Sequence, residues 1–202
     1  MRFKKYLNES EKEFWDKIYK DGEDHWVDKN PSNLTKQVIN TFKEFDNVLE
    51  IGCAAGIDTF LLAQHTKNKI IGIDIADKAI EIAKENLKKQ DKKIQNKIIF
   101  ETGDAEKLKY KDNQFDFLYS LSVLHSTDIK KSLAEVNRVL SDNSSAVIYV
   151  YIGKGKEEID KSLFVDTCKK YFSITKEKEI NLKDSDGDKH KAMIVFLEKG
   201  DK

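Results

Sequence analysis

Apolar residues along this chain recur at two different spacings. Short runs rich in aliphatic and β-branched residues read as buried strands: Val48-Leu49-Glu50-Ile51, Lys69-Ile70-Ile71-Gly72-Ile73-Asp74, Lys97-Ile98-Ile99-Phe100-Glu101, 115–120 and Ala146-Val147-Ile148-Tyr149-Val150-Tyr151. Between these runs the apolar positions return at helical spacing. Leu34, Val38 and Phe42 precede the first run, and Ala79, Ile80, Ala83 and Leu87 mark a helix over 77–89. Ile129, Leu133, Val136 and Leu140 mark another over 128–140, and Ile159, Leu163, Phe164 and Cys168 form the buried face of one near 157–171. Strands alternating with helices predict an α/β fold built on a parallel sheet. A short helix over 10–20 opens the chain, with Ser10 and Glu13 as a capping box and Asp21-Gly22 as its end. Asn30-Pro31 reads as the cap and first position of the next helix. Two strands, 173–182 and 190–198, close the chain around Ser185-Asp186-Gly187-Asp188, a hairpin signature.

Composition narrows the class. A length of 202 residues fits one domain over 1–202, with 1–29 as an N-terminal helix and candidate lid and 30–202 as the core. Charged residues are 36% and formal net charge is zero, so there is no general attraction to nucleic acid or to an anionic membrane. Arg2 and Arg138 are the only arginines, which argues against an extended phosphate reader. Cys53 and Cys168 form neither a disulfide framework nor a metal motif, so no metal site is expected. No apolar run is long enough to cross a membrane and the N-terminus lacks a signal-peptide core; the expected location is the cytoplasm.

The candidate chemistry lies where strands end. Val48 to Thr59 reads as strand, small-residue turn and helix, the opening of a nucleotide-binding βαβ unit. Its turn is Gly52-Cys53-Ala54-Ala55-Gly56, not Gly-x-Gly-x-x-Gly, and Glu50 sits poorly beside a pyrophosphate. Asp74 ends the second strand about twenty residues past the glycine turn, where a right-handed crossover lets it accept the hydroxyls of a ribose. Its competing role is to cap the helix that follows, for which Asp77 is better placed. Asp104 follows the third strand. Three carboxylates at one sheet edge suit a ligand with hydroxyls, an amine and a positive charge better than one rich in phosphate. His125, just past the fourth strand, is either a candidate general base or a residue that packs or hydrogen-bonds locally. His25, Lys20 and Tyr19 are weaker rivals, and His190 reads as solvated. Trp15, Tyr19 and Trp26 either dock on the core or fold over a ligand as a lid.

In order and spacing, Val48–Thr59, Ile70–Asp77, Thr102–Leu108 and Phe115–His125 resemble the class I S-adenosylmethionine-dependent methyltransferases, of the small-molecule, type 11/25-like kind. Leu133 to Leu140, with Glu135, Arg138 and Val139, is similar to the "L-x-E-x-x-R-V-L" helix of that family. The resemblance runs from about residue 30 to the C-terminus. It implies a three-layer α/β sandwich: a seven-stranded, mostly parallel Rossmann-like sheet with a C-terminal antiparallel hairpin. It also implies S-adenosyl-L-methionine as cofactor. Gly52, Cys53, Ala54 and Gly56 would then form the turn against its methionine and ribose, and Glu50 would bind the methionine ammonium. Asp74 would take the ribose hydroxyls with Ile75 flanking the adenine. Asp104 would accept from the adenine amine with Ala105 beside it. Ser120 would face the reacting methyl, with His125 as the catalytic candidate.

The chain departs from the family at Ala54, usually Gly, and at Ser141-Asp142-Asn143-Ser144, where relatives commonly carry Lys-Pro-Gly-Gly. Ser120-Leu121-Ser122-Val123 replaces the Asp/Asn-Pro-Pro-Tyr of nucleobase amine methylation. The default expectation is methyl transfer to a small-molecule O, N or S acceptor by in-line displacement. The alternatives are a non-catalytic cofactor-binding or protein-interaction member of the fold, an NAD-dependent oxidoreductase and, as a minor case, aminopropyl transfer.

Overall fold

A computed structural model describes residues 10–23, 30–155, 158–183 and 189–201. Seven strands hydrogen-bond in the order β3-β2-β1-β4-β5-β7-β6. They are β1 (Phe45–Ile51), β2 (Thr66–Asp74), β3 (Ile98–Thr102), β4 (Phe115–Leu121), β5 (Leu140–Ile152), β6 (Ser173–Lys183) and β7 (Lys189–Glu198). β1 runs parallel to β4, β2 to β3 and β4 to β5, whereas β7 is antiparallel to both β5 and β6. The α/β class, the mostly parallel sheet and the antiparallel C-terminal strands therefore match the expectation; the turn at 185–188 lies outside the described residues. The chain steps outward from β1 through β2 to β3 and returns to β4 on the other side of β1. That reversal makes the C-terminal ends of β1 and β4 the switch point at which open α/β sheets bind ligands.

Among the described residues seven α-helices accompany the strands: α1 (Glu11–Asp21), α2 (Asn33–Phe42), α3 (Ile57–Gln64), α4 (Asp77–Lys88), α5 (Lys92–Gln95), α6 (Ile129–Val139) and α7 (Lys161–Tyr171). α1 has the capping box read from Ser10 and Glu13, and Gly22 ends it at φ +67°. The cap of α2 is Ser32, whose hydroxyl accepts from Thr35 N, and not Asn30; Pro31 lies before the helix. The reason is that Asp58 accepts from Ser32 N at 2.7 Å and so holds this entry against α3. α7 starts at Lys161 behind its cap Asp160, later than its pattern suggests, and Leu163 faces solvent instead of the core. The segment Ser141 to Ser144 belongs to β5, with the pairing partner of Phe115 at Leu140 and that of Phe117 at Ser145. The intervening residues loop out of register, with Asn143 at φ +57°. Among the described residues no helix is long and apolar enough to cross a membrane.

By internal contacts the chain forms two compact units, Met1–Asp46 with Gly52–Asp104, and Asn47–Ile51 with Ala105–Lys202. In the first, Ile70, Ile73, Leu62, Ala63 and Ala83 are buried between β2 and its helices. In the second, Leu118, Val147, Ile148, Leu133 and Val136 play that role, with Val195 and Phe164 beneath the antiparallel strands.

Candidate active site

The turn after β1 alternates between ordinary and left-handed backbone. Gly52 stands at φ +80°, Ala54 at +47° and Gly56 at +81°. Gly52 N and Cys53 N both donate to Ile73 O, at 2.7 and 2.9 Å, and Gly56 N donates to Cys53 O at 2.8 Å. Ala54 N donates to Asp74 Oδ2 at 3.0 Å. Four of the five amides from 52 to 56 are thus committed inside the chain, and a turn so committed is a poor cradle for a pyrophosphate, which needs free N–H groups. Glycine is required at 56 twice over. Its φ is left-handed, and a Cβ there would stand 2.5 Å from Cζ of the buried Phe100 ring. The same ring excludes a side chain at Gly72 and meets Phe60 edge-on, so Phe100 is the floor of the turn. Ala54, where the family usually has Gly, carries a left-handed cost of about 1 kcal/mol. Its methyl packs on a cluster of Tyr19, Ala76 and Ala79, against which Trp15 and Ile82 also lie.

Asp74 ends β2 as a buried carboxylate. Its Oδ1 accepts from Ala76 N at 3.0 Å and its Oδ2 from Ala54 N. Burial pushes its pKa from 3.8 up to about 6, outweighing the backbone hydrogen bonds that pull it down, and the negative charge of Asp16 adds to the rise. An ionised carboxylate has about four lone-pair directions, so Asp74 keeps acceptor capacity beyond its own backbone. Asp77 does not cap α4, contrary to expectation. It bonds Thr102 Oγ1 and pairs with Lys12 Nζ at 2.7 Å, while Asp16 on α1 accepts from Lys78 N at 2.9 Å. Ile75 is half-buried beside Asp74, Asp104 is exposed beyond the end of β3, and Gly103 N ties that exit to Asp74 O at 3.0 Å. This donor and acceptor set, an acceptor carboxylate beside a turn with committed amides, fits the ribose of an adenosyl group.

In the second unit, Glu50 is buried on β1 opposite Tyr119 of β4, and Ala105 is buried as well. Ser120 is fully buried near the end of β4, and its Oγ has no hydrogen-bond partner. His125 stands in a single 3-10 turn, Leu124–Ser126. Its Nδ1 is buried and also without a partner, and its ring meets Tyr151 edge-on at 5.0 Å. Burial lowers its pKa from 6.5 to about 4, so the imidazole is neutral near pH 7 and has a lone pair to offer. Tyr151 in turn meets Tyr149 at 5.7 Å. The sequence pattern placed these two tyrosines only in a strand core. Ser122 adopts φ +60° and donates its N–H to Tyr149 O, which fixes the exit of β4 against β5.

The remaining candidates separate. Glu135 and Arg138 are brackets: Arg138 bonds both Glu135 oxygens, Asp112 Oδ1 and the carbonyls of Leu108 and Tyr110, while Glu135 accepts from Leu108 N. The helix motif thus fastens the connection that leads into β4. Tyr19 is buried in the α1 cluster and Lys20 is exposed. His25 and Trp26 lie outside the described residues. His190 is not simply solvated; its Nδ1 lies 3.4 Å from Glu158 Oε1. Among the described residues no group of three or more His, Cys, Asp or Glu stands close enough to hold a metal ion.

Comparison with known proteins adds the family. An uncharacterised protein of Methanocaldococcus jannaschii is 28% identical over 190 residues, covering 93% of this chain and 70% of its own length. A demethylmenaquinone methyltransferase of Leptospira interrogans is 33% identical over 120 residues, covering 57% of this chain and 46% of that protein, so the chain spans under half of that relative. Among solved structures, the N-methyltransferase NodS of Bradyrhizobium japonicum in complex with S-adenosyl-L-homocysteine shares the fold. Its TM-score is 0.75 at 16% identity, over 94% of this chain and 98% of that one. A family model described as a methyltransferase domain matches residues 42–196. With most of its length matched by that model, the chain belongs to the class I S-adenosylmethionine-dependent methyltransferases.

Proposed function

We propose that this protein transfers the methyl group of S-adenosylmethionine to an O, N or S atom of a small-molecule acceptor by in-line displacement. The observation that carries the cofactor half of this reading is the Asp74 carboxylate, anchored by Ala54 N and Ala76 N beside a turn whose amides are already bonded. That combination favours ribose hydroxyls and disfavours the pyrophosphate of a nicotinamide dinucleotide. When bound, the cofactor supplies a methyl group on a positively charged sulfonium, which needs positioning more than covalent help. In this reading Asp74 accepts from the ribose hydroxyls and Ile75 packs on the adenine. Asp104 receives the adenine amine, with Ala105 beside it, and Glu50 holds the methionine ammonium. Gly52, Cys53, Ala54 and Gly56 let the backbone approach the ligand.

Ser120 and His125 serve the acceptor side. The His125 imidazole, neutral near pH 7, offers a ring nitrogen to the proton of an attacking hydroxyl, amine or thiol. The test of the cofactor is a calorimetric titration with S-adenosylmethionine, S-adenosylhomocysteine and NAD. Micromolar binding of the first two and none of NAD is expected; NAD binding without either adenosyl ligand overturns the reading. Retained affinity with an acceptor screen that returns only uncatalysed methyl loss leaves the non-catalytic alternative standing.

With an acceptor in hand, His125→Ala is expected to lower kcat by about a hundredfold, the usual scale of a lost general base, with S-adenosylhomocysteine affinity within about twofold of wild type. An unchanged kcat assigns His125 to packing against Tyr151. If His125 is the base, the acid limb of the kcat profile falls near pH 4, because the imidazole must be neutral and burial has already lowered its pKa.

A further inference from the structure

α4 begins beside the ribose carboxylate without a cap of its own. Its N-cap is Ala76, which has no side-chain acceptor, and Asp77 points instead to Lys12 and Thr102. The orphan amide of Lys78, in the first turn, is taken by Asp16 Oδ1 from α1 at 2.9 Å. Asp74 Oδ1 takes Ala76 N two residues earlier. Two carboxylates from distant parts of the chain therefore divide the start of one helix between them. α1 is fastened there by two further contacts, the Lys12–Asp77 ion pair and the packing of Trp15 and Tyr19 in the cluster that includes Ala54, Ala76 and Ala79.

We propose that Asp16 is a positioning residue of the adenosyl site. It is an N-cap supplied from α1 that fixes the backbone from Asp74 to Lys78, and with it the direction of the Asp74 carboxylate. The inference rests on the ribose role proposed for Asp74. Its physical content is that a free helix start frays, and a frayed 75–78 segment lets Asp74 turn with Ala76 N instead of facing a ligand. α1 is then a part of the cofactor site that never touches the cofactor's reacting atoms. Asp16 acts through Lys78 N and α4.

The test uses the full chain and S-adenosylhomocysteine, with three readouts: calorimetric Kd, melting temperature, and amide hydrogen exchange over residues 75–79 without ligand. Asp16→Ala is expected to weaken binding about fivefold to tenfold, the scale of a lost cap. Exchange over 75–79 should accelerate, with the sheet strands unchanged. Asp16→Asn keeps an oxygen that caps, so its Kd and exchange should stay within about twofold of wild type. Should Asp16→Ala not fold, Asp16→Glu moves the carboxylate by one methylene and is expected to show the same loss. Wild-type Kd in Asp16→Ala or Asp16→Glu, with only the melting temperature lowered, overturns the inference and leaves Asp16 a structural cap. A wild-type protein that binds no adenosyl ligand instead sinks the underlying ribose assignment, so the two failures are distinguishable.

Discussion

Asp74→Ala is expected to weaken S-adenosylhomocysteine binding by at least about a hundredfold, because in the role proposed for it two ribose hydroxyls would each lose a charge-assisted hydrogen bond of about 1.5–3 kcal/mol. The same substitution should move the melting temperature of the ligand-free protein by only a few degrees, because two effects oppose each other. Removing the carboxylate strands the amides of Ala54 and Ala76, at about 1–3 kcal/mol each. It also removes a buried charge that the empty site holds at a disadvantage. The rise of its pKa from 3.8 to about 6 corresponds to about 3 kcal/mol of destabilisation above pH 6. Because the folded pKa is raised, the ligand-free protein gains from this group below pH 4 and loses that gain as pH rises toward 6. Ligand affinity runs the other way. The ribose hydroxyls need the ionised form, so affinity should be flat from pH 8 down to about 6 and then fall by up to tenfold per pH unit. Calorimetry of wild type and variant across that range checks both claims. An unchanged Kd in the variant removes the ribose assignment, and a pH-independent wild-type Kd removes the raised carboxylate.

Most of what can be read from this sequence is local. Short apolar runs mark five of the strands, the hairpin signature two more, and helical spacing the longer helices, since burial leaves its mark within a few residues. Ser10 with Glu13, and Gly22 after Asp21, marked the ends of α1 because caps act over one turn. What escaped was set by partners far along the chain. Ser32, not Asn30, caps α2 because Asp58, 26 positions on, fixes its amide. Asp77 was the obvious cap for α4, yet Asp16, 62 positions before Lys78, does that work. Leu163 fits the apolar stripe of α7, but the helix begins late and turns that residue outward. The positions of Gly52, Ala54, Gly56 and Asp74 were legible from spacing, and the commitment of their amides was not, because it depends on Ile73 O and the Asp74 carboxylate arriving from the next strand. For His125 the residue was visible but not its environment. Tyr151 and the surrounding burial come from β5, and they decide that the imidazole is neutral.

The ring of Phe100, invisible as anything but strand core in the sequence, sets the second large effect. Gly56→Ala is expected to destabilise the protein by about 2–4 kcal/mol, which in a chain of this size lowers the melting temperature by about 5–15 °C. Two terms add. A left-handed φ of +81° costs an L-residue about 1 kcal/mol, and the new Cβ would lie 2.5 Å from Phe100 Cζ, so ring or turn must move. The ring has little room to yield, since it is buried, meets Phe60 edge-on at 6.0 Å and also fills the space over Gly72. The turn yields instead, which shifts Ala54 N away from Asp74, and ligand affinity should fall with stability. A double-substitution cycle separates the terms. Phe100→Leu alone loses packing and destabilises, yet on the Gly56→Ala background it should cost less than on wild type, because it relieves the clash. The φ penalty stays in both. If Phe100→Leu costs the same on either background, the ring is not what constrains position 56, and the strain belongs to the backbone of the turn alone.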